Sequence, residues 1–483
     1  RSVKPVSIKA WKIGGEPVSF ERARSAQYRS FQIGQSWGAP WDTWWFKVSG
    51  TVPEEWGDEA DCAPELVVDL SGLHTGIGFQ AEGLVHDSDG HVIKALEPLN
   101  NWVPVPQYGE PFQYWIEAAA NPNINNDGEV FVPTDLGERG VKAGPELYVL
   151  DRMELGLLDL QVWHLRMELS TLLGLVRELP EDRTRRADIM EALEQAMRAL
   201  DPSDIAGSAP QAREHLVPVL SDSASTRSHI VYAVGHAHID TAWLWPFRET
   251  KRKVARTFSN VVQLEDIASD MVFAASSAQQ YQWLKEIKPE LFERVKSKVE
   301  QGRFLPVGGM WVECDANLPS GESLVRQFLY GTKFFEKEFG RTEPIAWLPD
   351  SFGYSAALPQ IVKLAGMQYF LTQKISWNDT NTFPHNTFLW EGIDGTQVFT
   401  HFPPSDTYGA EVTPSEVALS ERQYSEKGKG HSSLMLFGWG DGGGGPTREM
   451  LESAKLQANL DGSPKVRVAD PLTFFHDAEA ELA

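Results

Sequence analysis

VYAVGHAHIDTAWLWPFRET, running from Val231 to Thr250, places three metal-capable side chains on alternate residues, His236, His238 and Asp240, at the end of an apolar run. In extended chain the three share one face, because strand side chains alternate with a period of two. Imidazoles and a carboxylate converging at a strand end make half of a site for a zinc-like divalent ion. The competing reading is a core strand whose histidines are hydrogen-bonded internally, the usual state of a lone buried histidine. Three alternating polar groups in one apolar run favour the site, since burying all three unpaired is costly.

Downstream of this stretch, β-type and helical runs alternate. HIVYAVGHAHID is followed by the helical RETKRKVARTFSNVVQLED, then MVFAAS, then helical spacing up to QGRFLPVG. ESLVRQFLYGTKFFEKEFG and IAWLPD come next, and QYFLTQ and LMLFGWG complete the set. Such alternation predicts a parallel α/β domain over 229–483, with functional residues at the carboxyl ends of its strands. Upstream, residues 1–150 are rich in Gly, Pro and aromatics, with short alternating runs such as TWWFKVSGTV and ELVVDLSGL, the pattern of a β-sandwich. Residues 151–228 read as a helical segment and linker. Two helices are expected, over MELGLLDLQVWHLRMELSTLLGLVREL and ADIMEALEQAMRAL, before the small, polar DPSDIAGSAP and SDSASTRS.

Two further carboxylates end apolar runs of the α/β region. Asp350 in AWLPDSFGYSAALPQ fits a helix N-cap or a functional acid, and Asp441 in LMLFGWGDGGGG fits a turn or a functional acid. Three acids at three strand ends suggest hydrolysis, with one carboxylate as nucleophile and another as acid/base. Trp243, Trp245 and Trp347 lie beside them, as platforms for the apolar face of a sugar ring or as core. Glu313, Asp315 and Asn317 alternate in WVECDANLPSG and fit a supporting shell around the ligands.

Bulk properties narrow the classes. A chain of 483 residues exceeds one hydrophobic core, so two or three domains are expected. The net charge of -23 is spread along the chain, which argues against nucleic-acid and anionic-membrane partners. Cys62 and Cys314 stand far apart, which excludes a disulfide framework and a cysteine metal cluster and favours a reducing compartment. Neither a signal-peptide pattern nor a membrane-length apolar run occurs, so the expected location is cytoplasmic. The NDT triplet at Asn378 is short enough to arise by chance.

GHAHIDTAWLWP, GGMWVECDANLPSGESLVRQ, WLPDSFGYSAALPQ, KISWNDTNTFPHNTFLWEGIDG and LFGWGDGGGGPT resemble glycoside hydrolase family 38, the retaining class II alpha-mannosidases, and within it the cytosolic and vacuolar type. The resemblance runs from about His229 to the end, and the first 200 or so residues resemble that group's N-terminal β-rich domain. It implies a seven-stranded-type barrel, zinc as cofactor, alpha-mannoside oligosaccharides as substrates and a homo-oligomer at full length. By position, His238 and Asp240 match the first two zinc ligands, and Asp350 matches the nucleophile that also coordinates zinc. Asp441 falls in the loop that carries the acid/base, and Trp243 and Trp347 are the expected substrate-binding aromatics. His236 matches a position that is not a ligand. In the retaining mechanism so implied, the two carboxyls lie about 5 to 5.5 Å apart.

One departure stands out. The family completes its zinc site with a histidine from a motif similar to HRGTYTS, which this sequence lacks. The fourth ligand is therefore expected beyond residue 483, the chain is expected to be the N-terminal part of a longer enzyme with an incomplete barrel, and this part is expected to be inactive alone. Two rival classes remain at this point. A metal-dependent amidohydrolase also carries a His-x-His pair like His236 and His238, and a noncatalytic carbohydrate-binding protein would fit the missing ligand.

Overall fold

Alternation along TWWFKVSGT, the strand Thr43–Thr51, sorts its side chains into two cores: Trp44, Phe46 and Val48 enter one, while Trp45 enters another with Ile13, Phe20 and Trp115. In the computed structural model, which describes residues 1–13, 16–72, 77, 80–122, 125–126, 129–130 and 145–482, this strand belongs to the first of two units. That unit comprises Arg1–Trp163, Ala242–Gln263 and Gly440–Gly444; the second comprises His164–Thr241, Leu264–Trp439 and Gly445–Ala483.

Two antiparallel sheets form the first unit's sandwich. The larger one orders its strands Arg29–Ser30, Ser7–Lys12, Thr43–Thr51, Pro111–Ala120, Ala81–His86 and Val92–Leu96. Pro111–Ala120 is central, with Tyr114 opposite Val48 and Ile116 opposite Val85. The smaller sheet orders Ser2–Pro5, Arg152–Asp159, Cys62–Asp69 and Trp102–Pro104. Inward residues of both, among them Leu66, Val68, Met153 and Leu155 from the smaller sheet, share one core with Phe46 and Ile116. Sheets packed face to face in this way are a β-sandwich.

Two expectations for residues 151–228 need correction. MELGLLD does not begin a helix: Arg152–Asp159 is a strand with Leu155 opposite Leu66, so the sandwich runs past the expected boundary at 150. Met153, Leu155 and Leu157 satisfy a period of two as well as a helical one, and pairing with Cys62–Asp69 decides between them. The helix starts at Leu160, where the Asp159 carboxylate accepts the Val162 N–H at 3.1 Å. The second correction concerns the stretch read as linker, which holds a third helix, Ile205–Ser221, after Thr184–Ala199. Asp204 caps it by accepting the Gly207 N–H, and Ala209, Ala212, Leu216 and Val219 make its buried stripe. Pro210 and Pro218 lie inside this helix and disguise it, because proline ordinarily interrupts a helix.

The second unit is α/β. One sheet orders the parallel strands Phe304–Pro306, Phe273–Ala275, Ile230–His236 and Ser432–Phe437, with Lys465–Val468 also parallel to Ile230–His236. The other orders Ile345–Leu348, Tyr369–Thr372 and Gln397–His401 in parallel, with Thr387–Glu391 as an antiparallel edge. Alternate residues of both sheets, including Tyr232, Val234, Leu305, Trp347, Leu371 and Leu436, meet in one core with Phe474 and Phe475 of the helix Pro471–Leu482. Their neighbours on the opposite faces, such as Ala233 and Met435 or Ala346 and Phe370, pack in separate clusters. No helix among the described residues is long and apolar enough to cross a membrane.

Two of the second unit's buried histidines, His401 and His229, are held by partners away from the strand-end acids. His401 accepts the Leu434 N–H at Nε2 and meets Thr387 Oγ1 at Nδ1, and His229 meets Ser433 Oγ. Burial pushes the His401 imidazole down to about 3 and that of His229 to about 4, so both enter the fold neutral. The unfolded chain protonates them near 6.5, and below that pH it holds more protons than the native state. Stability is therefore expected to fall as pH drops from about 6.5 towards 4, by up to about 1.4 kcal/mol per pH unit for each histidine. Thermal melts across this range should show the decline, and His401→Gln should make it shallower. An unchanged slope would remove His401 as its source.

Candidate active site and metal centre

Tyr232, Val234 and His236 continue one inward-facing row of their strand, and the strand ends with His236. The His236 imidazole stays in the core: its Nδ1 donates to the Ala274 carbonyl at 2.8 Å and its ring packs against Trp347 at 5.5 Å. Burial pushes it down to about 4 and keeps it neutral. His238 and Asp240 follow in non-regular chain, so the expected three-residue face breaks after His236. The amidohydrolase reading loses its His-x-His pair here, because the ligand atoms that converge among the described residues are those of His238, Asp240 and Asp350, without His236.

His238 lies within reach of three carboxylates. Its Nδ1 is 2.8 Å from Glu313 Oε2, and its Nε2 is 3.0 Å from Asp350 Oδ2 and 3.3 Å from Asp240 Oδ1. Burial disfavours a charge on this imidazole, but Glu313, Asp240 and Asp350 overcome that cost and hold it protonated well above its usual range. The two Nε2 approaches are close, yet neither has hydrogen-bond alignment, and Nε2 is a buried atom without a hydrogen-bond partner among the described residues. Ligand atoms of His238, Asp240 and Asp350 all lie within 4.8 Å of one another. One imidazole nitrogen and two carboxylate oxygens so arranged suit a divalent cation of borderline softness, which would take the place of the proton.

Each member arrives from the carboxyl end of a parallel strand. Glu313 follows Phe304–Pro306, Asp350 follows Ile345–Leu348, and Lys374 follows Tyr369–Thr372. Glu313 is itself fixed: Ser276 Oγ donates to its Oε1, and its backbone N–H donates to Ser277 Oγ at 2.9 Å. Ser277 holds a left-handed φ of 66°, backbone strain of the kind that collects at functional sites. Asn317 braces the loop after Asp350 by donating to the Phe352 carbonyl at 3.1 Å.

Sequence reading missed Lys374. Its Nζ is 2.6 Å from Asp350 Oδ1 and 3.2 Å from the Trp377 ring centroid, with Tyr408 at 4.9 Å and Phe352 at 5.1 Å. Burial raises the Asp350 carboxyl, and His238 and Lys374 outweigh it, so the net displacement is downward and the group is an anion. A lysine closing the apolar run QYFLTQK was the available signal, since a buried ammonium needs an anion. Tyr408, 5.1 Å from the His238 ring, gave no comparable signal.

Trp347 corrects another expectation. It is 1% exposed and packed in the second unit's core, so it presents no face to a sugar. Trp243, in the first unit, is 46% exposed and stands edge-on to the buried Trp245 at 5.8 Å. Asp441 also belongs to the first unit, in Gly440–Gly444. It forms a turn with φ of 56° at Asp441 and 84° at Gly442, closed by the Gly443 N–H on the Gly440 carbonyl at 2.7 Å. Positive φ at both central residues is the I′ geometry for which Asp-Gly is the favoured pair.

Comparison with known proteins bears on this geometry. Residues 228–483 match the glycosyl hydrolases family 38 N-terminal domain, and residues 4–155 match the alpha-mannosidase jelly roll domain. The chain is 38% identical over 481 residues to "Alpha-mannosidase 2C1" of Homo sapiens, covering 99% of this chain and 44% of that protein. It is 36% identical over 493 residues to "Alpha-mannosidase" of Saccharomyces cerevisiae, covering 98% of this chain and 44% of that protein. An alpha-mannosidase structure from Enterococcus faecalis V583 aligns with a TM-score of 0.44 at 20% identity, over 53% of this chain and 30% of that one, too distant to decide the fold. The chain thus spans under half the length of these curated relatives. The domain match takes in more than half of the chain, which belongs to glycosyl hydrolases family 38.

Proposed function

We propose that the protein hydrolyses terminal alpha-mannosides of oligosaccharides with retention of configuration, Asp350 acting as nucleophile and Asp441 as acid/base. The observation that carries this reading is the cluster of His238, Asp240 and Asp350, with Lys374 paired to Oδ1 of Asp350. Lys374 engages Oδ1 and leaves Oδ2 turned towards His238. Asp350 is thereby anionic, oriented and able to attack an anomeric carbon, forming a covalent glycosyl-enzyme. Asp441 would protonate the leaving oxygen and then activate water on the same face. Trp243, half exposed, would offer its ring to a sugar.

His238, Asp240 and Asp350 would hold zinc. When bound, the ion supplies Lewis-acid polarisation of the sugar hydroxyls and stabilises charge in the distorted ring. Glu313 fixes the imidazole so that Nε2 faces the carboxylates, the part that outer carboxylates play for metal-binding histidines. The hydrogen bond from Gly308 N–H to the Ile345 carbonyl, 3.0 Å long, supports reading the two sheets as consecutive parts of one barrel, as does their common core. Both Cys62 and Cys314 are free, which supports a reducing, cytoplasmic setting.

In the native full-length protein, Asp350→Ala should lower kcat/KM on an aryl alpha-mannoside by at least about 1,000-fold, in the range of a lost nucleophile. Mannose released in the first turnovers should be the alpha anomer by NMR. A beta product, or activity surviving in Asp350→Ala, would sink the assignment. Glu313→Gln should weaken metal affinity by about 10- to 100-fold, read by chelator competition. Unaltered affinity would mean that Glu313 does not support the ligand.

A further inference from the structure

The interior of the first unit holds charges that the mechanism above leaves unused. Arg256 Nη1 donates to Glu82 Oε2 at 2.5 Å and to Glu249 Oε1 at 2.6 Å, and Lys253 Nζ bonds Glu82 Oε1. Asn121 Nδ2 donates to the same two carboxylates, at 3.2 Å to Glu82 and 3.0 Å to Glu249. Arg252 joins Glu249 at 2.8 Å and Glu117 at 2.9 Å. Glu82, Lys253, Arg256 and Glu249 are each at most 2% exposed. Removing so many ions from water is costly before pairing, and an apolar core of the same volume is often more stable. The cluster is therefore better explained by what it positions than by what it adds to stability.

What lies against it is the Asp441 turn. A Cβ on Gly442 would stand 2.6 Å from Lys253 Cδ and 2.7 Å from its Nζ. One on Gly444 would stand 2.7 Å from Asn260 Nδ2 and 2.8 Å from Glu97 Cγ, and φ is +84° and +98° at the two glycines. Bare backbone thus lies directly on Lys253, Asn260 and Glu97, which no side-chain-bearing residue could do without displacing them. Asn260 is anchored in turn, its Oδ1 accepting the Ala95 N–H at 3.0 Å. Lys253 also covers the Trp245 ring at 4.7 Å, so the same ammonium abuts the turn and the tryptophan pair. Burial, then the Glu82 charge, raises the Glu97 carboxyl well above its usual range against the pull of Arg256 and Lys253. Burial thus favours the neutral form of Glu97 where it fills this seat.

We propose that the cluster is the seat of the Gly440–Gly444 turn, and that Lys253, Asn260 and Glu97 are positioning residues for the Asp441 carboxylate. This rests on Asp441 being the acid/base. Glu82 and Glu97 come from the sandwich strands and their connections, so the β-sandwich itself supplies part of the seat.

The test uses the native full-length protein with Gly444→Ala, Glu97→Ala, Glu97→Gln and Asp441→Asn. Hydrogen exchange of peptides covering 438–446 reads the seat. Catalysis is read as kcat/KM on 2,4-dinitrophenyl alpha-mannoside, whose leaving group departs without a proton, and on an alpha-mannobiose, which needs one. Gly444→Ala and Glu97→Ala should speed exchange of the turn about tenfold or more. They should lower the mannobiose rate about 100-fold and the dinitrophenyl rate less than about fivefold, the signature of a misplaced acid. Glu97→Gln, an uncharged filler of similar shape, should recover part of the loss.

Unchanged exchange in variants that melt cooperatively overturns the proposal, and so does an equal loss on both substrates. If Asp441→Asn itself loses both equally, the acid/base reading fails, and the exchange data alone then decide the seat. Should Gly444→Ala fail to fold, the two Glu97 variants carry the same comparison.

Discussion

An inward-facing row of side chains, filled as far as His236, governs the second unit. Tyr232, Val234 and His236 point into the core that both parallel sheets share, and the Ala274 carbonyl consumes the one proton that His236 offers. His238 lies just past the strand end in irregular chain, where loops from neighbouring strands bring Glu313, Asp350 and Lys374 towards the site. Because the strands run in parallel, all these loops emerge at one end.

Charge decides what that meeting can do. Glu313, Asp240 and Asp350 surround one imidazole, and Lys374 neutralises only Asp350 directly. An excess of anion about a buried nitrogen favours a cation, whether a proton or a metal ion. In the first unit the ions balance differently: Glu82, Glu249 and Glu117 face Lys253, Arg256 and Arg252, with the Glu97 carboxyl pushed well above its usual range beside them. One arrangement leaves a binding need, and the other leaves a firm surface on which glycine backbone rests.

Elements of the second unit were largely readable because each strand of the α/β run is short, apolar and bounded by helical periodicity. Readability failed where two periods fit the same letters, as in MELGLLD, and where prolines hid a buried stripe, as in Ile205–Ser221. Trp347 shows a third kind of failure. A tryptophan three residues before a candidate acid looks like a platform, but alternation along the strand turns it into the core while Asp350 lies past the strand end. Lys374 was invisible for the opposite reason, since its role depends on an aspartate 24 residues earlier that only parallel pairing brings near.

By itself the sequence determined the kinds of chemistry present. It supplied imidazole and carboxylates at strand ends, an Asp-Gly turn in a glycine run, and a family resemblance that named His238, Asp240 and Asp350 together. Tertiary structure decided which of these groups touch. It kept His236 in the core, set Glu313 on His238 and Lys374 on Asp350, and laid Gly442 and Gly444 against Lys253, Asn260 and Glu97. The reason is that residue type and local period are written along the chain. Contact between residues far apart in sequence arises only when sheets pair and buried charges must find partners.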